Sequence, residues 1–299
     1  MPIGPFPSNL QTEMSNATIA QVLVEATQLL RGASIVEARR DAATLLANLI
    51  GRDSTYLIAH AENELTAMDL DRYRDFVDRR ASGEPVQYIV GHQEFFNLDF
   101  TITRDVLIPR PDTELLVETA IKLVPQDEEK TICDVGTGSG CIAISILHER
   151  RNARGIALDI SPGALRVAAG NAARHGLRDR LQFAASDCFA ALAPSHANFD
   201  LITSNPPYVA EEAFASLQRE VREHEPRVAL TSGDDGLSMV RRLLTDAFDF
   251  LAPEGNLLIE IGFGQHQAVN EMIDRNVWTL LEIHNDLQGI PRTVSLRKS

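Results

Sequence analysis

The chain has 299 residues, 44% hydrophobic and 23% charged, which excludes a wholly disordered or collagen-like polymer and leaves room for one large domain or two ordinary ones. Its formal net charge of −14 gives nucleic acid no general electrostatic reason to bind, because non-specific affinity comes mostly from Lys and Arg neutralising phosphates. Three cysteines, Cys133, Cys141 and Cys188, form no CxxC pair, so neither a disulfide framework nor a thiolate zinc site is expected.

Residues 1–14 are expected to be a flexible N-terminus; the first residues lack the basic start and apolar core of a signal peptide. No apolar run approaches the length that spans a bilayer, and with reduced cysteines this points to a cytoplasmic protein. From Ile19, the residues Val22, Leu23, Ala26, Leu29 and Leu30 recur at helical spacing. Ala42, Leu45, Leu46 and Leu49 do so before Gly51, and Leu70, Tyr73, Phe76 and Val77 before Ser82-Gly83. These amphipathic stretches predict a small helical bundle over residues 15–83.

After Pro85 the period changes to two. Phe96, Leu98, Phe100 and Ile102 alternate with polar residues, and Gln87 to Val90 offers a partner strand, so residues 84–107 are read as a β-hairpin linker. From Ile108 to residue 299, strands and helices alternate: strands at Thr131–Val135, Gly155–Asp159, Leu181–Ala185, Phe199–Thr203 and Asn256–Ile261, with helices over Ile142–Leu147, from Ser161-Pro162 to Gly176, and over Leu237–Leu251. The pattern predicts an α/β domain with an open, mostly parallel sheet covered on both faces.

Three features carry chemistry. Gly136-Thr137-Gly138-Ser139-Gly140 follows Asp134-Val135 at a strand end and opens a helix, where glycines let the backbone approach a ligand. The dinucleotide fingerprint would need glycine at position 141, which is Cys141, so the loop suits a nucleoside with an amino-acid tail better than a pyrophosphate. A tight turn without a ligand is the alternative. Asp159, at the end of the next strand, can accept hydrogen bonds from ribose hydroxyls; the alternative is a carboxylate favoured by the helix N-terminus beside it. Asp187 could meet an adenine amino group or serve as a loop or capping aspartate.

Asn205-Pro206-Pro207-Tyr208 follows the strand Phe199–Ser204. Two prolines remove two backbone donors, which leaves the Pro206 carbonyl out of a regular ladder. Asn205 adds a side-chain acceptor and Tyr208 an aromatic face. Two acceptors converging on one NH₂ group suit a planar amide or an exocyclic amine, a weak nucleophile for which positioning supplies much of the catalysis. An Asx-Pro turn is the alternative reading. The eight histidines are scattered, so no metal site is expected.

Together these residues resemble the S-adenosylmethionine-dependent class I methyltransferases, and within them the HemK/PrmC family, which methylates a glutamine side-chain amide in peptide chain release factors. The resemblance covers most of the chain: Gly83 to Gly91 and Glu94-Phe95, Ile108-Pro-Arg-Pro-Asp-Thr-Glu114, the Asp134 to Gly140 loop, Ser204 to Tyr208, Glu220-Val-Arg222 with Glu225-Pro226, Gly233-Asp-Asp-Gly236, and Asp286 to Arg292. It implies a Rossmann-like domain with a mostly parallel seven-stranded sheet over 108–299, preceded by a helical domain that recognises the substrate.

The resemblance further implies that Gly136, Thr137, Gly138, Ser139, Gly140 and Asp159 hold S-adenosyl-L-methionine, with Asp187, Cys188 and Asn205 completing that site. Asn205 and the Pro206 carbonyl would accept the two hydrogens of the glutamine amide, while Pro207 and Tyr208 complete its pocket. Some relatives have Ser-Asp-Trp-Phe where this chain has Ser186-Asp-Cys-Phe189, which makes Phe189 a candidate substitute for the adenine contact. Arg110 either orients the substrate loop or caps the domain entrance. The expected partners are class 1 release factors, with no direct nucleic-acid contact and no membrane. A ribosomal-protein glutamine methyltransferase, an adenine- or cytosine-N methyltransferase and a non-catalytic nucleoside-binding module are the competing readings. Residues 1–107 hold 9 basic and 15 acidic groups, and residues 108–299 hold 19 and 27, which disfavours the nucleic-acid enzyme.

Overall fold

The computed structural model of the chain describes residues 17–193 and 198–299; the flexible segment expected over 1–14 lies outside them. The described residues form two compact units that part between Gly91 and His92.

The first unit is helical: α1 (Ile19–Gly32), α2 (Ala38–Ile50), α3 (Ser54–Ala59), α4 (Ala67–Ala81) and α5 (Val86–Val90). Thr18 and Gln21 form a reciprocal capping box at the start of α1, and Thr66 caps α4, each satisfying N–H groups that a helix start leaves open. The predicted apolar faces meet, with Leu30, Ala42, Leu45 and Leu46 fully buried. Within that core the Tyr73 hydroxyl donates to the Ala42 carbonyl at 2.9 Å, and Arg80 pairs with Asp41 at 2.8 Å.

The segment read as a hairpin linker divides. Residues 86–90 are helical instead of a partner strand, because Gly91 at φ +82° closes a helical turn there as only glycine does without strain. The hairpin itself is β1 (His92–Phe95) and β2 (Leu98–Thr101), joined by Phe96 and Asn97 at φ +50° and +59°. Phe96 therefore sits in the turn and not in the strand its alternation suggested. This hairpin is bonded into the second unit, where Asn171 exchanges two hydrogen bonds with the Thr101 backbone at 2.8 and 3.1 Å.

The rest of the second unit runs α6 (Glu114–Leu123), β3 (Thr131–Val135), α7 (Cys141–Glu149), β4 (Arg154–Asp159), α8 (Pro162–Arg174), β5 (Leu181–Ala185), β6 (Phe199–Ser204), α9 (Arg219–His224), α10 (Ser238–Asp246), β7 (Leu251–Glu260), α11 (His266–Met272), β8 (Trp278–Asn285) and β9 (Pro291–Lys298). Seven strands form one sheet in the order β5-β4-β3-β6-β7-β9-β8. The first five are parallel, and β9 is antiparallel to both neighbours. The predicted mostly parallel sheet is therefore present. Its antiparallel pair β8–β9 and the short helices α9 and α11 carried too little periodicity to be read.

The helix predicted over Leu237–Leu251 is shorter. α10 tightens into a 3-10 turn over Ala247–Phe250, and Leu251 already belongs to β7. Phe199 pairs with Leu251 and Leu201 with Asn256, so β7 carries an irregularity around Pro253-Glu254-Gly255, residues that look like a loop in sequence. One consequence fixes the site: β3, β4 and β6, side by side, deliver Val135, Asp159 and Ser204 to the same carboxyl edge, where ligands bind in open α/β sheets.

Candidate active site

The glycine loop is stapled from below. Asp134, wholly buried at the end of β3, accepts from Thr137 Oγ1 at 2.6 Å and from Thr203 Oγ1 of β6 at 2.8 Å. Burial pushes its carboxyl up to about 6, and the two hydroxyls oppose that rise. Gly136 and Gly138 lie at φ +72° and +55°, and a Cβ at either would meet open space. Both therefore present bare backbone. Gly140, also left-handed, instead packs against Ile144 and Ala168; it lets the helix start close to its neighbour and does not line the cleft.

That cleft, about 350 Å³, is lined by Gly136, Thr137, Gly138, Ser139 and Asp159 together with Asn205, Pro207 and Arg110. Asp159 accepts from the Gly138 N–H through Oδ2 and from the Ser161 N–H through Oδ1, both at 2.8 Å. One carboxylate thus fixes the loop while each oxygen keeps acceptor capacity toward the cleft. Ser139 Oγ is buried with no hydrogen-bond partner among the described residues.

Asp187 and Cys188 also line the cleft. Asp187 is held by Arg242, which reaches its carboxylate at 2.5 Å and its carbonyl at 2.9 Å. Cys188 takes φ +53°, and burial pushes its thiol up to about 11, so it stays neutral. Phe189 does not reach the cleft; it is buried and stacks on Phe250 with ring centroids 4.6 Å apart.

Asn205 to Tyr208 leave the end of β6, where the Ser204 hydroxyl donates to the Val135 carbonyl at 2.7 Å. Asn205 Nδ2 donates to Thr113 Oγ1 at 3.0 Å. Among the described residues no donor reaches the Asn205 Oδ1 or the Pro206 carbonyl. Pro206 is buried, and Tyr208 is half-buried with its hydroxyl pushed up to about 12 by burial. Gln265 Nε2 donates to the Tyr208 carbonyl at 3.0 Å, while Gln265 Oε1 accepts from the Gly262 N–H at 2.8 Å. Gly236, at φ +73°, packs so tightly on Tyr208 that any side chain there would collide with the Tyr208 carbonyl.

The 108–114 segment turns out to be a junction. Arg110 pairs at 2.5 Å with Glu225, whose other oxygen accepts from the Ile108 N–H at 3.2 Å. Asp112 pairs with Arg292 at 2.9 Å, Arg292 also holds Asp286 at 3.1 Å, and Glu114 accepts from the Phe96 N–H at 2.8 Å. The sequence motifs include Thr113, Glu225, Asp286 and Arg292 without roles for them, and contain no signal for Arg242, Glu260 or Gln265. Their partners lie tens of residues away, and no spacing rule connects them. No cluster that could hold a metal ion occurs among the described residues.

Comparison with known proteins decides what this arrangement belongs to. Residues 21–91 match the PrmC N-terminal domain and residues 111–233 the methyltransferase small domain. A release factor glutamine methyltransferase from Koribacter versatilis is 41% identical over 281 residues, covering 94% of this chain and 99% of that protein. The chain belongs to the release factor glutamine methyltransferase family. Another member, from Bradyrhizobium diazoefficiens, is 42% identical over 90% of this chain and 91% of its own length. Among solved structures, the hMettl16 catalytic domain aligns with a TM-score of 0.53 at 18% identity, over 75% of this chain and 82% of that one. A Pyrococcus furiosus methyltransferase aligns at 0.50 and 15%, over 74% and 97%. These bear out the Rossmann-like class I fold.

Proposed function

We propose that this enzyme transfers a methyl group from S-adenosyl-L-methionine to the side-chain amide nitrogen of the glutamine in the Gly-Gly-Gln motif of class 1 peptide chain release factors. The observation that carries the reading is family membership along nearly the whole chain, 41% identity over 94% of it. The cleft is consistent with it, since Gly136, Gly138, Asp159, Asn205 and Pro207 line one cavity.

The residues present fit the cofactor. Gly136 and Gly138 leave open space for a ligand, Ser139 brings an unpartnered hydroxyl, and Asp159 has acceptor capacity for ribose hydroxyls. Asp187 and Cys188 border the adenine end, and Asn205 borders both ligands. When bound, S-adenosylmethionine supplies an electrophilic methyl group on a positively charged sulfur.

The chain's own task is to present a weak nucleophile. An amide nitrogen has its lone pair delocalised, so Asn205 Oδ1 and the Pro206 carbonyl accept its two hydrogens and turn the nitrogen toward the cleft. Pro207 and the Tyr208 ring pack on the amide plane. Arg110, anchored on Glu225, shapes the entrance for the substrate loop. The helical unit docks the body of the release factor, and translation in the cytoplasm is the setting. Among the described residues no helix is long and apolar enough to cross a membrane.

Incubating the enzyme with tritiated S-adenosylmethionine and either purified release factor, ribosomal protein or DNA tests this reading. Label confined to the release factor supports it; label on either alternative acceptor, or tight cofactor binding without any transfer, contradicts it.

A further inference from the structure

Thr113, bonded to the Asn205 amide at 3.0 Å, and Glu260 stand outside every role assigned above. Thr113 closes the one-turn helix Pro111–Thr113 and Glu260 ends β7; they are 2% and 1% exposed. Parallel pairing of β6 with β7 puts Ser204 beside Ile259, so the next residues, Asn205 and Glu260, are neighbours at the sheet edge. Burial pushes the Glu260 carboxyl up to about 7, and the side chains of Thr113 and Asn205 beside it oppose that rise. Its Oε2 has no hydrogen-bond partner among the described residues. A buried carboxylate left under-satisfied is destabilising, which marks it as kept for something other than stability.

An asparagine amide fits its pocket almost equally well in two orientations, exchanging Oδ1 and Nδ2. The proposed chemistry tolerates only one, because a glutamine amide offers donors and needs an acceptor opposite it. Thr113 alone cannot choose, since a hydroxyl both donates and accepts. Glu260 can once it is ionised, above about pH 7, because a carboxylate only accepts. With the Thr113 hydroxyl proton directed at Glu260, the Thr113 oxygen is left to accept, and it takes the N–H of Asn205 Nδ2 at 3.0 Å. The opposite orientation would set Oδ1 against a lone pair and a negative charge.

We propose that Thr113 and Glu260 are positioning residues that lock the orientation of the Asn205 amide, so that Oδ1 is the atom presented to the substrate. This rests on the reading of Asn205 as acceptor for the substrate amide. It also gives the Pro109-Arg-Pro-Asp-Thr-Glu114 segment a function: Asp112, held by Arg292, anchors the turn that carries the orienting hydroxyl.

The test compares Thr113→Val, Thr113→Ser, Glu260→Gln and Asn205→Ala in the full chain, with a release factor as methyl acceptor, measuring kcat, KM, cofactor Kd and thermal unfolding. Thr113→Val keeps the shape and removes the relay, so kcat is expected to fall roughly tenfold to a hundredfold, with cofactor Kd within about threefold. Thr113→Ser restores the hydroxyl and recovers most of the lost rate. Glu260→Gln, whose amide can donate or accept, loses less than Thr113→Val. A Thr113→Val enzyme at wild-type kcat overturns the proposal, and so does a serine variant as slow as the valine one, which would assign the effect to packing. Wild-type rate in Asn205→Ala is a different outcome: it removes the asparagine reading itself, and the orienting role with it.

Discussion

The two halves of the cleft are assembled on different scales. On the side proposed to hold the cofactor the defining contacts include local ones, Thr137 to Asp134 three residues back and Gly138 to Asp159 across 21, beside the long-range ties of Thr203 to Asp134 and Arg242 to Asp187. On the acceptor side they are distant. Asn205 and Thr113 are 92 residues apart, Arg110 and Glu225 are 115, and Gln265 and Tyr208 are 57. The buried carboxylates differ in the same way. Asp134 is matched by two hydroxyls, whereas Glu260 keeps an unpartnered oxygen. A loop that cradles a ligand with backbone can be specified by glycines and one carboxylate. A pocket that must orient an amide needs side chains fixed from several elements at once.

That contrast predicts a separation of kinetic effects. Asn205→Ala strikes the acceptor half first, although Asn205 borders both ligands: kcat should fall roughly 10²–10³-fold while cofactor affinity, read by calorimetry, changes far less, by under about threefold. Comparable losses in both would merge the two halves. Asp159→Ala strikes the other half: a lost charge-assisted contact is worth about 1.5–3 kcal/mol, so the cofactor Kd should weaken roughly tenfold to a hundredfold. The rate at saturating cofactor should hold within about fivefold, and a collapse of that rate with unchanged Kd would contradict the assignment.

Smaller effects sharpen the same division through stability. Gly236→Ala places a methyl against the Tyr208 carbonyl at a backbone angle of φ +73° and should cost about 2 kcal/mol in urea unfolding, with KM for the release factor raised. No change in either would mean that the Tyr208 backbone is freer than its packing indicates. Burial holds the Glu260 carboxyl at about 7 against an ordinary 4.5. The folded chain therefore keeps a proton that the unfolded chain has released, and stability falls as pH rises through that window. Asp134, at about 6 against 3.8, acts in the same sense. Glu260→Gln should make the decline between about pH 4.5 and 7 shallower, and an unaltered slope would show that Glu260 does not titrate there.

The same difference of scale governed what could be read in advance. The helical unit, the parallel strands and the glycine loop were legible because each announces itself within about a dozen residues, through period, cap or glycine. Residues 86–90 misled because five apolar-rich residues carry no period, and Gly91 settled them as helix. Phe96 alternated correctly but occupies a turn. Within the site, Asn205, Pro206 and Tyr208 stood out as a contiguous motif. The roles proposed for Thr113 and Glu260 did not, since they arise only when the pairing of β6 with β7 sets Glu260 next to Asn205 and the Pro111–Thr113 turn brings the Thr113 hydroxyl to the Asn205 amide.

The central claim is that the reacting atom is the amide nitrogen of one glutamine. It is tested most directly by mass spectrometry of the Gly-Gly-Gln peptide from a release factor incubated with S-adenosylmethionine, with and without this enzyme. The account predicts a single added methyl group, fragmenting to the glutamine side chain and appearing only with the enzyme present. An unmodified glutamine under conditions where the enzyme binds cofactor, or a methyl group on another residue, would contradict it.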